Sequence, residues 1–409
     1  WNGERFRFVT DILGNAPLGL SLRRDSILPA DPDEIVYLGG ETDLRPQRGA
    51  YILEVAECYR EVLYLDAAEI IVVDHPEDVE IHPTDKLMPP PFPQSELWAI
   101  TNVREPSTVD SSDGVARWAA LQAIDADFAP AAEPLPPPFR GQCHELTLTM
   151  DFGPLDPDAP LVLTLTGWLR YGSASVNIAL EQNPLVPVTW PVLEVETDAG
   201  NWRSVDVMVG IPAGKTKTIL CDLTGKLPVG ARRLRLTSSF EIRWDRIAMA
   251  ERTQLSADDM RTLAPASADL YHRGFPEMLT RAERHPITPD YHALSDVPKW
   301  RTTLQGWCTR FGDVLELVAR DDDKIAILNS GDAVTLRFDA VAAPPRNGMT
   351  RSFFFRSVGW EKDADYNVID GHTVGPLPVP DSDEDGWRLK YNTRWVPRQA
   401  FTTSRTSSR

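Results

Sequence analysis

Apolar and polar residues alternate in short runs along most of this chain. The runs "RFRFVT" (5–10), "EIVYLG" (34–39), "AYILEVA" (50–56), "EVLYLD" (61–66), "EIIVVD" (69–74) and "VEIH" (79–82) are each of strand length. A period of two sends successive side chains to opposite faces of a sheet, so such runs predict strands with one face buried. Their spacing is close to the roughly 8–12 residues usual in sandwiches and barrels. The pattern is densest between 143 and 250, where eight candidates run from "ELTLTMDF" (145–152) to "FEIRWDRIAMA" (240–250) and include "ASVNIALE" (174–181). The register predicts that Leu163, Leu165, Leu234, Leu236 and Ile242 share the inner face of an antiparallel sandwich of jelly-roll, galactose-binding-like type.

One stretch breaks the alternation. "VARWAALQAIDADF" (115–128) carries apolar residues at helical spacing after the capping-type "DSSDG" (110–114), which predicts the chain's one short helix. Proline-rich connectors, "LMPPPFPQ" (87–94) and "APAAEPLPPPFRG" (129–141), flank this region. The reading is a mostly β chain of tandem antiparallel sandwich or jelly-roll domains. It divides into a small β domain (1–104), a helix and connector (105–142), a jelly-roll sandwich (143–250), a second sandwich region (251–375) and an extended C-terminal arm (376–409).

Composition agrees with this. There are 35 prolines among 409 residues, more than helix interiors or central strands accept. The net charge of −18 argues against a nucleic-acid partner, since an acidic surface repels phosphates. No apolar run reaches the roughly 20 residues of a membrane helix. The four cysteines, 58, 143, 221 and 308, are too far apart for a CxxC pair. The opening "WNGERFRFVTD" reads as the middle of a β motif, so a preceding segment is expected.

Several segments, in order and spacing, resemble a known family. "WNGERFRFVTDILGNAPLGL", "ADPDEIVYLGG", "REVLYLDAAEIIVVDHP", "PPPFP", "RLRLTSSFEIRWDRIAMA", "GDAVTLRFDA" and "SVGWEKDADYNV" are similar to the region that follows the FG-GAP/VCBS repeats in large bacterial exported proteins of the cartilage-acidic-protein-like group. The resemblance covers most of residues 1–375. It implies a repeat propeller before Trp1, a periplasmic or extracellular location, and a binding or assembly role with no catalytic residues to carry over.

The search for chemistry finds little. Gly214-Lys215-Thr216 in "IPAGKTKT" (211–218) lacks P-loop spacing and runs into a strand, so a β-turn is expected. No histidine pair has zinc spacing and no GxSxG elbow occurs. Asp381, Asp383 and Asp385 before Gly386 form the first half of a Ca²⁺ loop whose closing acid is missing, since Asn392 stands at that position. "RDDDK" (320–324) and "EKDAD" (361–365) read as acidic loops of the same kind. Ca²⁺ is therefore the one cofactor worth testing, and no other is expected. Among the tryptophans, Trp168 and Trp202 are the candidates for stacking a sugar. After Asp385 no acid occurs, and Trp387, Arg388, Tyr391, Arg394, Trp395, Arg398 and Phe401 interleave aromatic and basic side chains. They are read as an arm that binds another protein subunit, one belonging to an exported or membrane-associated complex.

The functional expectation is a non-catalytic structural or protein-interaction subunit. One alternative is a carbohydrate-binding module. Another is a glycoside hydrolase, which requires paired carboxylates facing one cleft.

Overall fold

The computed structural model describes residues 1–15, 31–197, 200–281, 284–300, 304–364, 370–379 and 386–394. It is mostly β, with 46% of residues in strands and 6% in helices, and its strands form antiparallel sheets without a barrel. Four larger sheets pack as two sandwiches.

The first sandwich pairs distant parts of the chain. One sheet has the order Asp33–Gly40, Met349–Asp363, Glu61–Pro76, Met260–Leu263, with Ala326–Asn329 on the start of Glu61–Pro76. The facing sheet has the order Gly312–Asp313, Ser267–His272, Asp332–Asp339, Ala50–Ala56. Val36, Tyr51, Leu65, Leu336, Phe338 and Phe353 are among the side chains that fill the space between.

The second sandwich stacks the sheet Trp202–Ser204, Val192–Glu196, Arg233–Phe240, Gln142–Asp151, Thr108–Ser111 on the sheet Lys217–Asp222, Leu161–Leu169, Ile242–Thr253, Leu97–Arg104, Glu80–Pro83. Leu163, Leu165, Leu234, Leu236 and Ile242 all lie in its core, as the alternation predicts. The strands Glu80–Pro83, Leu97–Arg104 and Thr108–Ser111 belong here, so the expected boundary at 104 does not separate the sheets. Proline connectors mark loops, but only hydrogen-bonded pairing decides which sheet a strand joins.

A third, smaller core joins the sandwiches. Ile35, Ile71, Val73 and Phe354 of the first pack against Ile81 and Ala99 of the second. This explains why Glu61–Pro76 is buried along nearly its whole length, although half-buried strands alternate. His75 is drawn inside with it, where Nε2 meets Ser352 Oγ at 2.9 Å. A polar contact crosses the same junction, where Glu34 of the first sandwich meets Lys217 of the second.

Two local expectations are overturned. The stretch 115–128 makes only a short 3₁₀ turn, Trp118–Leu121. Arg117 is buried there, donating to the carbonyls of Pro130 (2.7 Å) and Ala131 (3.1 Å) and pairing with Asp113. Ala126 then adopts φ 66°, which ends any helix. Conversely, Ala174–Glu181 is a helix and not a strand. Ser173 caps it by accepting from the Val176 N–H, and Ala174 and Leu180 are buried.

Candidate functional site

A cavity of about 1420 Å³ lies between the sandwiches. Typical small-ligand pockets are roughly 300–1,000 Å³, so this one has room for an extended ligand. Three parts of the fold wall it. The first sandwich contributes the segment after Ala50–Ala56 and the ends of Glu61–Pro76 and Met349–Asp363. The second contributes the end of Leu161–Leu169 and the helix Ala174–Glu181. The N-terminal segment and the hairpin Phe275–Leu279/Thr288–Ser295 complete the wall.

The register concentrates acid on one wall. Asp363 stands directly opposite Glu61, and Glu361 opposite Leu63. With a period of two, Glu61, Leu63, Glu361 and Asp363 share one face. Gly359 makes the approach possible: the ladder slips between Val358 and Gly359, and a Cβ on Gly359 would lie 2.2 Å from the Tyr64 carbonyl oxygen. Glu57 follows the strand Ala50–Ala56. Its backbone N–H donates to the Asp332 carbonyl at 2.9 Å, and its Oε1 accepts from the Tyr59 N–H at 2.7 Å. The result is that one carboxylate oxygen each from Glu57, Glu61 and Glu361 lies within 4.8 Å of the others.

Glu57 is only 4% exposed. Glu61 and Glu361 touch the cavity space and are otherwise surrounded by protein. Neither has a hydrogen bond or ion pair among the described residues. Burial, and then the neighbouring Asp363 and Asp11, push the Glu61 carboxyl up to about 7. Burial, followed by their mutual repulsion, holds Glu57 and Glu361 well above the usual carboxylate range.

The adjoining wall shows how this cavity treats a cation. Lys215, on the turn read from "IPAGKTKT", reaches in with its Nζ 2.5 Å from Asp11 Oδ2 and 3.2 Å from the Tyr59 hydroxyl. The same Nζ is 5.5 Å from the centroids of both the Phe8 and Tyr59 rings, within cation–π range. Burial, countered by Asp11 and Tyr59, leaves its ammonium more basic than usual. Next to Glu57, Cys58 Sγ is 4.0 Å from the Tyr291 hydroxyl, and Arg273 sits 4.4 Å from the Tyr291 ring centroid. The Cys58 thiol is pushed up to about 12 by burial and by Glu57, so it is no nucleophile.

Sequence reasoning reached this site only in part. Glu361 belongs to the acidic segment "EKDAD", but residues 361–363 end a strand and are not a loop. Glu57, Glu61, Asp11 and Lys215 carry no motif. The signal that unites them is a pairing across about three hundred residues, which no local pattern contains.

The other expected residues are dispersed. Trp168 lines the cavity but is 5% exposed, its Nε1 donating to the Arg284 carbonyl at 3.0 Å and its ring edge-on to Phe128. Trp202 lies on the edge strand of the other sheet, with the Arg235 guanidinium 4.7 Å from its centroid. The two tryptophans therefore do not form one platform. In the arm, Trp387 is 5% exposed and packs into the first sandwich's own core, which corrects its expected role as an anchor for a partner. Its large apolar surface finds cover within the chain. Arg388 lies over the Trp387 ring, the Tyr391 hydroxyl meets Glu316 Oε2 at 2.5 Å, and Arg394 lies in a strand paired with Trp307–Thr309. Asp381, Asp383, Asp385, Trp395, Arg398 and Phe401 lie outside the described residues. No helix among the described residues is long and apolar enough to cross a membrane.

No family model matches the chain, and no curated protein matches it. Among solved structures, a chain from the structure of infectious bursal disease virus Gt strain matches at 7% identity, over 94% of this chain and 90% of that one. Its TM-score of 0.15 carries no argument about fold or function.

Proposed function

We propose that this chain is a non-catalytic binding subunit of an exported protein, and that the cavity between its sandwiches holds the ligand. One observation carries the reading: a large interior space into which Glu61 and Glu361 present carboxylates that nothing among the described residues pairs. Burial favours the protonated form of these acids while the cavity is empty, and an occupant that pairs with them would let them ionise. The resemblance to exported FG-GAP/VCBS-repeat proteins supports the location. A thermal-shift panel of sugars, amines and divalent cations tests the reading. A ligand raises the melting temperature by mass action. At least one class should stabilise the parent chain and fail to stabilise Glu361→Gln. A panel that treats both proteins alike would remove the cavity from consideration.

A second reading has specific support. The convergent carboxylates satisfy the requirement of a glycoside hydrolase, and a carboxyl near 7 can serve as a general acid. Chromogenic glycosides separate the two: turnover abolished by Glu61→Gln would favour the hydrolase, and no turnover with any of them would favour binding alone.

A further inference from the structure

We propose that the ligand carries a primary alkylammonium group, seated where Glu57, Glu61 and Glu361 converge, with its hydrocarbon part along the aromatic wall. This rests on the reading of the cavity as a ligand site.

Charge decides the class first. Three carboxylates share one small volume, and Glu61 and Glu361 have neither hydrogen bond nor ion pair among the described residues. Burial and mutual repulsion favour the protonated acids in the empty cavity, and a cation is the occupant that would let them ionise, which a neutral sugar would not. Of the cations that line the same cavity, Lys215 is held by Asp11 and the Tyr59 hydroxyl, Arg7 by Asp43 and Arg170 by Glu241, while Arg140 and Arg281 line it as well.

Geometry then chooses among cations. A primary ammonium has three N–H donors, and three carboxylates converge here. Calcium requires six to eight oxygens, and one oxygen of Glu57 is already taken by the Tyr59 N–H. A lone ion would also leave most of the 1420 Å³ unused. The walls next to the carboxylates are aromatic and apolar, with Phe8, Tyr59, Trp360 and Leu63 all lining the space. Such a surface accepts an alkyl chain. The chain's own Lys215 is an internal precedent, being an alkylammonium held by a carboxylate and a phenol within reach of two rings.

Isothermal titration calorimetry of the full chain with spermidine, CaCl₂ and maltotriose tests this. Spermidine should bind saturably, and Glu61→Gln and Glu361→Gln should each weaken it tenfold or more. Glu77→Gln, an exposed acid just past the far end of the strand that begins at Glu61, should leave it unchanged, which controls for general attraction to an acidic protein. Circular dichroism checks that the variants fold. An equal loss in Glu77→Gln, or no spermidine binding, would overturn the proposal. Calcium binding lost in the two cavity variants, without spermidine binding, would make the cluster a metal site instead. Maltotriose binding lost in those variants would keep the cavity as a ligand site and overturn the amine. If no probe responds to either variant, both readings fail together.

Discussion

Glu61 and Glu361 sit on neighbouring strands of one sheet, two residues out of register, and turn their carboxylates into the same cavity with no hydrogen bond or ion pair to hold them among the described residues. Cross-strand like charges destabilise a sheet. A fold that keeps them carries a strain that pH, mutation or a ligand should relieve.

The first expected outcome concerns pH. The folded Glu61 carboxyl titrates near 7, above its unfolded value, so the protonated form is favoured in the fold. Its burden on stability is absent below the unfolded value near 4.5. It grows as pH rises to about 7 and then levels off, reaching on the order of 1–3 kcal/mol. Glu57 and Glu361 act in the same direction. Glu80 opposes them only at much lower pH: although burial raises it, His82 and Arg246 hold it down to about 2. The melting temperature should therefore be higher at pH 5 than at pH 8, and Glu61→Gln should reduce that difference. A parent chain more stable at pH 8 would contradict the electrostatic account.

Lys215→Ala leaves Asp11 facing the acid cluster without its partner. The pair is mostly buried, with side-chain exposures of 11% and 24%, so the loss should be about 1–3 kcal/mol. Because Asp11 belongs to the N-terminal segment, the variant should also expose residues 1–15 to limited proteolysis. Unchanged cleavage there would show that the pair does not hold this wall.

The second sandwich has a simpler test. Leu236 is buried in its core, and Leu236→Asp should abolish cooperative unfolding of that sandwich, since a lone buried carboxylate costs several kcal/mol. Trp202→Ala, on the edge strand, should stay within about 1 kcal/mol of the parent. A Leu236→Asp variant that melts like the parent would mean the strand register is wrong.

Trp387→Ala removes an indole from the first core and should cost about 3 kcal/mol in denaturant unfolding. An arm that only meets a partner would show no loss in the isolated chain, so a null result would restore the arm as a free binding element.

These outcomes also mark what the sequence made legible. Strand alternation around Leu234 placed the second core because local period and burial coincide there, whereas the strand of Leu163 is buried on both faces. It failed at Ala174–Glu181, where period-two alternation competes with the Ser173 cap and the cap prevails. Helical spacing misled in turn at 115–128, where a buried Arg117 takes carbonyls from a later segment. The acid of "EKDAD" was visible, but its meaning depends on Asp363 meeting Glu61 across the sheet, a partnership set by the global fold.

The central claim is that the convergent carboxylates seat a ligand's ammonium group, and difference density from crystals soaked in spermidine tests it most directly. The account predicts an elongated feature in the cavity, with one amino nitrogen about 3 Å from oxygens of Glu57, Glu61 and Glu361. Crystals that show the cavity without such a feature, or spermidine bound only at outer surface acids, would contradict it.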